Sequence, residues 1–72
     1  MSKMHEYGET IREHRIANHK TLEEVANAIQ TSNQNISRWE RGEVVPGIDF
    51  CVRLADYYGI TLDELIGRDI DK

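Results

Sequence analysis

The segment TLEEVANAIQTSNQNISRWERG, residues 21–42, decides the fold, because it contains the signals for two short helices and the turn between them. Thr21 and Glu24 form a capping box, in which the threonine oxygen accepts from a first-turn amide and the glutamate reaches back to the cap amide. A helix is therefore predicted to begin at Thr21. Its inner face is marked by apolar residues at helical spacing, namely Leu22, Val25, Ala26 and Ile29.

A second short helix is predicted directly after the first. Ser32 or Thr31 can cap its beginning, and Gly42 stands where a left-handed residue ends a helix. Ile36 and Trp39 share one side of this helix, so we interpret Trp39 as a core residue rather than a stacking platform for a base. Two such helices joined by three to four residues favour the steep crossing of a helix-turn-helix.

The outer side of this second helix, predicted over about residues 32–41, carries side chains that can read base edges. They are Asn33, Gln34, Ser37, Arg38 and Arg41. Asn and Gln pair with adenine in a bidentate manner, Arg pairs with guanine, and Ser can pair with several bases. Most surface arginines are simply solvated, and that interpretation stays open for Arg38 and Arg41. An outer face rich in amides and free of acids nevertheless favours contact with DNA.

The flanking segments predict three more helices and no strand. Before the central unit, Tyr7, Ile11 and either His14 or Arg15 mark the inner side of a first helix. A fourth helix follows the break at Pro46-Gly47 and ends at Gly59. Its apolar repeat consists of Ile48, Cys51, Val52, Leu54, Ala55 and Tyr58.

A second capping box opens the last helix, because Thr61 is followed by Glu64 at the same spacing as in the first box. The fold class predicted is therefore all-α with five helices. We expect one domain over residues 1–72, with its core at about 6–67 and the helix-turn-helix unit at about 21–41.

The composition argues against an enzyme, a metal protein and a membrane protein. A chain of 72 residues buries only about 60% of its unfolded surface, which leaves little room for a deep active site. No catalytic residue or cofactor is predicted. The histidines His5, His14 and His19 do not share a helical face, so no metal site is expected, and Cys51 is interpreted as a small apolar core residue. No apolar run could span a bilayer, and we expect a cytoplasmic protein.

The net charge of −4 at first argues against nucleic acid. The distribution changes this interpretation, since residues 1–42 contain six basic and six acidic residues, whereas residues 43–72 contain three basic and seven acidic ones. The acidity is thus concentrated away from the predicted DNA-reading helix. An alternative function is a protein-interaction module, such as an antitoxin or anti-regulator, that uses this acidic second half.

The motifs resemble those of the lambda repressor and Cro type of helix-turn-helix, also called the XRE family. The resemblance rests on Thr21-Leu-Glu-Glu-Val-Ala and Ile36-Ser-Arg-Trp-Glu-Arg-Gly42, and it extends to Tyr7-Gly8-x-x-Ile11 and to residues 46–67. It implies a five-helix domain whose second helix crosses the phosphate backbone and whose third lies in the major groove.

Residue roles follow from the same resemblance. The positions implied for base contact are Asn33, Gln34, Ser37 and Arg38. Those implied for phosphate contact are Thr21, Asn35 and Arg41. The family also pairs a first-helix arginine with a glutamate near the end of the third helix, and Arg15 and Glu40 occupy those places as a structural ion pair.

Four positions depart from the family pattern. Gln30 stands where the turn usually has glycine, and a left-handed Gln30 costs about 1 kcal/mol relative to glycine, so a slightly different turn is expected. His19-Lys20 replace a common glycine-leucine pair. Leu22 replaces a frequent phosphate-contacting glutamine, which leaves Thr21 and the first-turn amides to hold phosphate.

The expected function is transcriptional regulation, with repression as the expected outcome. A homodimer would insert the third helix into consecutive major grooves of a palindromic site on double-stranded DNA, with half-site centres about 10 bp apart. The apolar residues Ile60, Ile66 and Ile70 are the expected dimer seam.

Overall fold

The computed structural model describes residues 6–67, which form five helices and no strand. In chain order these are α1 (Glu6–Ala17), α2 (Leu22–Ile29), α3 (Asn33–Glu40), α4 (Ile48–Tyr58) and α5 (Leu62–Ile66). The predicted all-α, five-helix fold is thereby confirmed.

Side-chain caps begin three of the helices. At α2, Glu24 N donates to Thr21 Oγ1 at 3.0 Å and Thr21 N donates to Glu24 Oε1 at 2.8 Å, which is the predicted capping box. The capping box at α5 has the same two bonds: Glu64 N donates to Thr61 Oγ1 at 3.0 Å, and Thr61 N donates to Glu64 Oε1 at 2.9 Å. Ser32 is the residue that caps α3, by accepting from Asn35 N at 3.1 Å. The caps read from the sequence therefore set where these helices begin.

The ends of α1 and α2 lead into residues with a left-handed backbone that are not glycine. His19 has φ 57° and Gln30 has φ 66°. The expectation of a different turn at Gln30 is wrong in this respect, because Gln30 itself adopts the conformation that favours glycine. Gly42 ends the α3 segment with φ 77°, as predicted.

The core lies between all five helices. Its buried residues are Ile11, Val25, Ala26, Ile29, Ile36, Trp39, Leu54 and Leu65. Trp39 is 4% exposed, so its interpretation as a core residue is confirmed. Helix α1 packs on α3 and α5, while α2 packs on α3 and α4. Helix α3 is thus supported from two sides.

The predicted inner face of α4 is only partly correct. Leu54 and Ala55 are buried, but Ile48 is 77% and Val52 is 42% exposed. Phe50 faces inward instead, with its ring centroid 5.2 Å from that of Trp39. Cys51 is half-buried rather than fully buried, and burial raises the pKa of its thiol. Apolar residues nearly surround the first two turns of α4, so the sequence did not identify which side meets the core.

Two features bear on the classes of protein considered above. Between residues 6 and 67 no helix is long and apolar enough to cross a membrane. The same residues contain no group of three or more His, Cys, Asp or Glu side chains that could hold a metal ion, and His5 lies outside the described part.

Candidate nucleic-acid interface

The α2–α3 unit is built around buried residues on both sides of a short turn. Ile29 at the end of α2 is 2% exposed, and Ile36 in α3 is fully buried. Residues 30–32 connect the two helices, which is the short connection expected of a helix-turn-helix. The inner sides of both helices are therefore fixed by the core, and the opposite side of α3 faces solvent.

The outer side of α3 presents the predicted base-reading residues. Asn33, Gln34 and Arg38 are exposed, and Ser37 is half-buried. The first turn of α3 contains no acidic residue. These side chains offer amide donors and acceptors, a hydroxyl and a guanidinium on one surface, the groups that can bond to base edges in a major groove.

Arg41 is held close to α3 by two neighbours. Its Nη1 donates to Ser37 Oγ, and its Nε and Nη2 donate to the Glu43 carboxylate at 2.8 and 3.2 Å. The Arg41 and Glu43 side chains are 55% and 52% exposed. The hydrogen bond raises the pKa of Arg41 and lowers that of Glu43. Sequence reasoning missed Glu43, although an acid two residues after Arg41 was a visible signal.

Asn35 stabilises the beginning of α3. Its Nδ2 donates to Thr31 Oγ1 at 2.8 Å, and its backbone N donates to Ser32 Oγ at 3.1 Å. The side chain is half-buried. A primary amide has two hydrogens, so the second hydrogen on Nδ2 can still donate to an anion such as phosphate.

Thr21 lies exposed at the beginning of α2. Its Oγ1 accepts from Glu24 N, which leaves the hydroxyl hydrogen available as a donor. The Glu24 carboxylate occupies the same helix end and bonds to Thr21 N. The beginning of α2 therefore combines amides that attract an anion with a carboxylate that repels one.

The last residue of α3 is tied to α1 through a charged pair. Arg15 Nε lies 2.7 Å from Glu40 Oε2, and the two side chains are 14% and 6% exposed. The Arg15 Nη1 also donates to Lys20 O at 3.0 Å, in the segment before α2. The hydrogen bond to Glu40 raises the pKa of Arg15, against the opposing effect of burial. One guanidinium thus links α1, the approach to α2 and the end of α3.

Comparison with known proteins finds similarity to helix-turn-helix proteins and transcriptional regulators. A family model described as helix-turn-helix matches residues 11–65. The HTH-type transcriptional activator BcrR of Enterococcus faecalis is 28% identical over 64 residues, which are 89% of this chain and 31% of that protein. The chain therefore spans about a third of the length of that relative.

A solved structure is similar over almost the whole chain. It is the solution structure of the SOS-response transcriptional repressor LexA from Eubacterium rectale, with a TM-score of 0.85 and 26% sequence identity. The match covers 99% of this chain and 77% of that one.

Proposed function

Since this chain belongs to the XRE-type helix-turn-helix family of DNA-binding transcriptional regulators, we propose that it recognises a specific double-stranded DNA sequence through α3. That family is a class of regulators rather than of enzymes. The observation that carries the proposal is the solvent-exposed face of α3, where amides and Arg38 project from a helix held by the core. In this proposal α3 lies in the major groove.

Base recognition is assigned to Asn33, Gln34, Ser37 and Arg38. The two amides suit adenine, and the Arg38 guanidinium suits the O6 and N7 acceptors of guanine. Arg38 is exposed, so it can reach a base edge without rearrangement of the core.

Phosphate contacts are assigned to Thr21, Asn35 and Arg41. Each has a donor hydrogen that can turn to an anion, although Arg41 must first exchange the Glu43 carboxylate for phosphate. Such contacts fix the register of the protein on the duplex and make binding sensitive to salt.

We further propose that residues 6–67 act as one DNA-binding unit and that two copies bind a palindromic operator, with half-site centres about 10 bp apart. The proposed seam is Ile60, Ile66 and Ile70. Ile66 is 36% and its neighbour Leu62 is 42% exposed, whereas Ile60 is half-buried against the core. Ile70 lies outside the described residues. Pairing on one site raises affinity through effective concentration.

Repression in the cytoplasm is the proposed outcome of binding, because a protein seated over a promoter excludes other proteins from it. Transcription in vitro from a promoter that carries the selected site shows whether binding represses or activates transcription. A drop in transcript supports repression, and a rise would instead make the protein an activator, as the name of the Enterococcus faecalis relative states for that protein.

The experiment that tests DNA recognition is a binding selection from a random double-stranded DNA library, followed by titration at two salt concentrations. Arg38→Ala should weaken specific binding by about 1–3 kcal/mol. Arg12→Ala, an exposed arginine of α1, is the matched control and should leave binding unchanged. Weak, sequence-blind binding that responds equally to both substitutions would contradict the proposal and favour a protein partner for the acidic second half. Sedimentation with and without the selected DNA tests the dimer.

A further inference from the structure

The end of α2 lacks a local cation for its last carbonyls. The last turn of α2 contains no basic residue, and the chain leaves the helix through the left-handed Gln30, with φ 66° and ψ 54°. The amides of Gln30 and Thr31 both donate to Ala26 O. The carbonyl of Ile29, the last residue of α2, has no further turn of helix from which to accept a bond.

A side chain from α4 supplies the missing donor. Arg53 Nη1 donates to Ile29 O at 2.9 Å, across 24 residues of sequence. A cation at a helix C-terminus is favoured by the helix dipole, and a charged donor makes a stronger bond than a neutral one. The bond also fixes the orientation of the peptide between Ile29 and Gln30, which is the first peptide of the turn.

The Arg53 guanidinium also packs on Phe50, which in turn contacts Trp39 of α3. The Arg53 Cζ lies 5.3 Å from the centroid of the Phe50 ring. The Phe50 centroid lies 5.2 Å from that of Trp39, a core residue of α3. Helix α4 thus contacts α2 through Arg53 and α3 through Phe50, on either side of the turn.

We propose that Arg53 is a positioning residue for DNA recognition, which holds the peptide Ile29–Gln30 and thereby the direction in which α3 leaves the turn. The inference rests on the proposed function of α3. Arg53 acts through the turn and needs no contact with DNA. The residues around Arg53 show no local signal of this role, because its partner Ile29 lies on another helix.

Gln30 makes the turn dependent on this bond. Glycine populates the left-handed region about as readily as the right-handed one, whereas a residue with a Cβ does so at a cost. When the bond from Arg53 is removed, a turn with Gln30 can relax toward other conformations more easily than a turn with glycine. Gln30→Gly should therefore compensate for the loss of Arg53.

The test uses Arg53→Met, which keeps an apolar stem over Phe50 but removes the donor, and Arg53→Lys, which keeps a cationic donor. With the selected operator as the probe, Arg53→Met should lower specific affinity about tenfold. The dependence on salt and the affinity for random duplex should not change. Arg53→Lys should recover most of the loss, and Gln30→Gly combined with Arg53→Met should recover it as well. Arg12→Met is the matched control.

A second readout does not need DNA. Hydrogen exchange at the amides of Gln30 and Thr31 should quicken in Arg53→Met and return toward the original rate in the double variant. If exchange is unchanged in Arg53→Met, the proposal is wrong whether or not the protein binds DNA. An equal loss of specific and random binding, with a salt slope lower by about 1, would make Arg53 a phosphate contact instead and would also overturn it.

Discussion

The Arg15 guanidinium forms a bidentate pair with the Glu40 carboxylate, with Nε bonded to Oε2 at 2.7 Å and Nη2 to Oε1 at 3.0 Å. The pair joins α1 to the last residue of α3, so the end of the proposed recognition helix is anchored from outside the α2–α3 unit. A charge this well shielded from water is stable only while its partner is present.

Removing one partner of this ion pair should destabilise the protein more than removing both partners. Glu40→Met leaves the Arg15 charge unpaired and should lower the free energy of unfolding by about 3 kcal/mol. Arg15→Met combined with Glu40→Met removes both charges, so it should be less destabilised than Glu40→Met alone. Thermal and urea unfolding measure the stability of each variant. Arg15→Met alone completes the cycle, and a double variant whose loss of stability equals the sum of the two single losses would show that the two side chains act independently.

An exposed pair provides the control for that cycle. Arg41 and Glu43 are similarly close but are 55% and 52% exposed. Exposed pairs contribute little to stability, because solvent and salt screen them. Replacing both with methionine should leave the melting temperature within error of the original.

Gly8 determines how closely α1 approaches the end of α3. A Cβ on Gly8 would lie 2.6 Å from Glu40 O and 2.7 Å from Trp39 O, both of which are backbone atoms that cannot move without α3. Overpacking costs about 1–3 kcal/mol, and each kcal/mol shifts the melting temperature of a domain of this size by about 4–8 °C, so Gly8→Ala should lower the melting temperature by about 4–24 °C. It should also weaken specific DNA binding. Calorimetry and operator titration measure the two effects.

Gly47 is the matched control for that substitution. A Cβ there would meet nothing within 4 Å, and φ is −65°. Gly47→Ala should lower the free energy of unfolding only by the difference between an alanine cap and a glycine cap, which is about 1 kcal/mol or less. Equal losses at positions 8 and 47 would argue that the close approach of α1 to α3 is unimportant.

The Tyr58 phenol should make the protein sensitive to alkali. Burial, reinforced by the Glu40 charge, raises the pKa of Tyr58 well above its ordinary value near 10. A group with a raised folded pKa contributes its full stability below the unfolded pKa, and that contribution is lost as pH rises from about 10 toward the folded value. Melting temperatures measured from pH 8 to pH 11 should fall less steeply for Tyr58→Phe than for the original protein.

The same substitution should not weaken the protein at neutral pH. The Tyr58 hydroxyl oxygen is buried and has no hydrogen-bond partner among residues 6–67. Removing a buried, unpaired polar atom is neutral or stabilising. The ring that stacks on His14, at a centroid distance of 5.9 Å, is kept. A lower melting temperature for Tyr58→Phe at pH 7 would instead indicate a bound water on the hydroxyl.

Features set by neighbouring residues could be predicted from the sequence, whereas features set by distant ones could not. The capping boxes at Thr21 and Thr61 depend on side chains three residues apart, so their signal is local. The inner side of α4 depends on which residues of other helices pack against it. Phe50 faces the core and Ile48 faces solvent, because Trp39 packs against Phe50. The bond from Arg53 to Ile29 O is likewise long-range.

The candidate site shows the same division. Exposure of Asn33, Gln34 and Arg38 follows from the helical period of α3 once Ile36 and Trp39 are buried. That these side chains contact bases is a prediction, and so is the identity of those bases, because docking angle and DNA deformability also determine a base code.

Glu43 should act as a competitor of DNA for Arg41. Its carboxylate accepts from Arg41 Nε at 2.8 Å and from Nη2 at 3.2 Å, in the geometry that a phosphate would need. Glu43→Gln removes this competing charge, so it should raise the affinity for the selected operator about threefold or more and increase the salt slope by up to about 1. Affinity for random duplex should rise in parallel, because a phosphate contact carries no sequence information.

The pH dependence gives an independent check on this competition. The hydrogen bond from Arg41 lowers the pKa of Glu43, so the carboxylate stays charged at neutral pH and the pair is lost only as pH falls through that lowered value. DNA affinity of the original protein should therefore rise toward that of Glu43→Gln on acidification, and the variant should lack this part of the change. Asp49→Gln, which removes an exposed acid in α4, is the control for net charge alone. If Asp49→Gln raises affinity as much as Glu43→Gln, the effect belongs to the overall charge of the protein and Glu43 does not compete with DNA for Arg41.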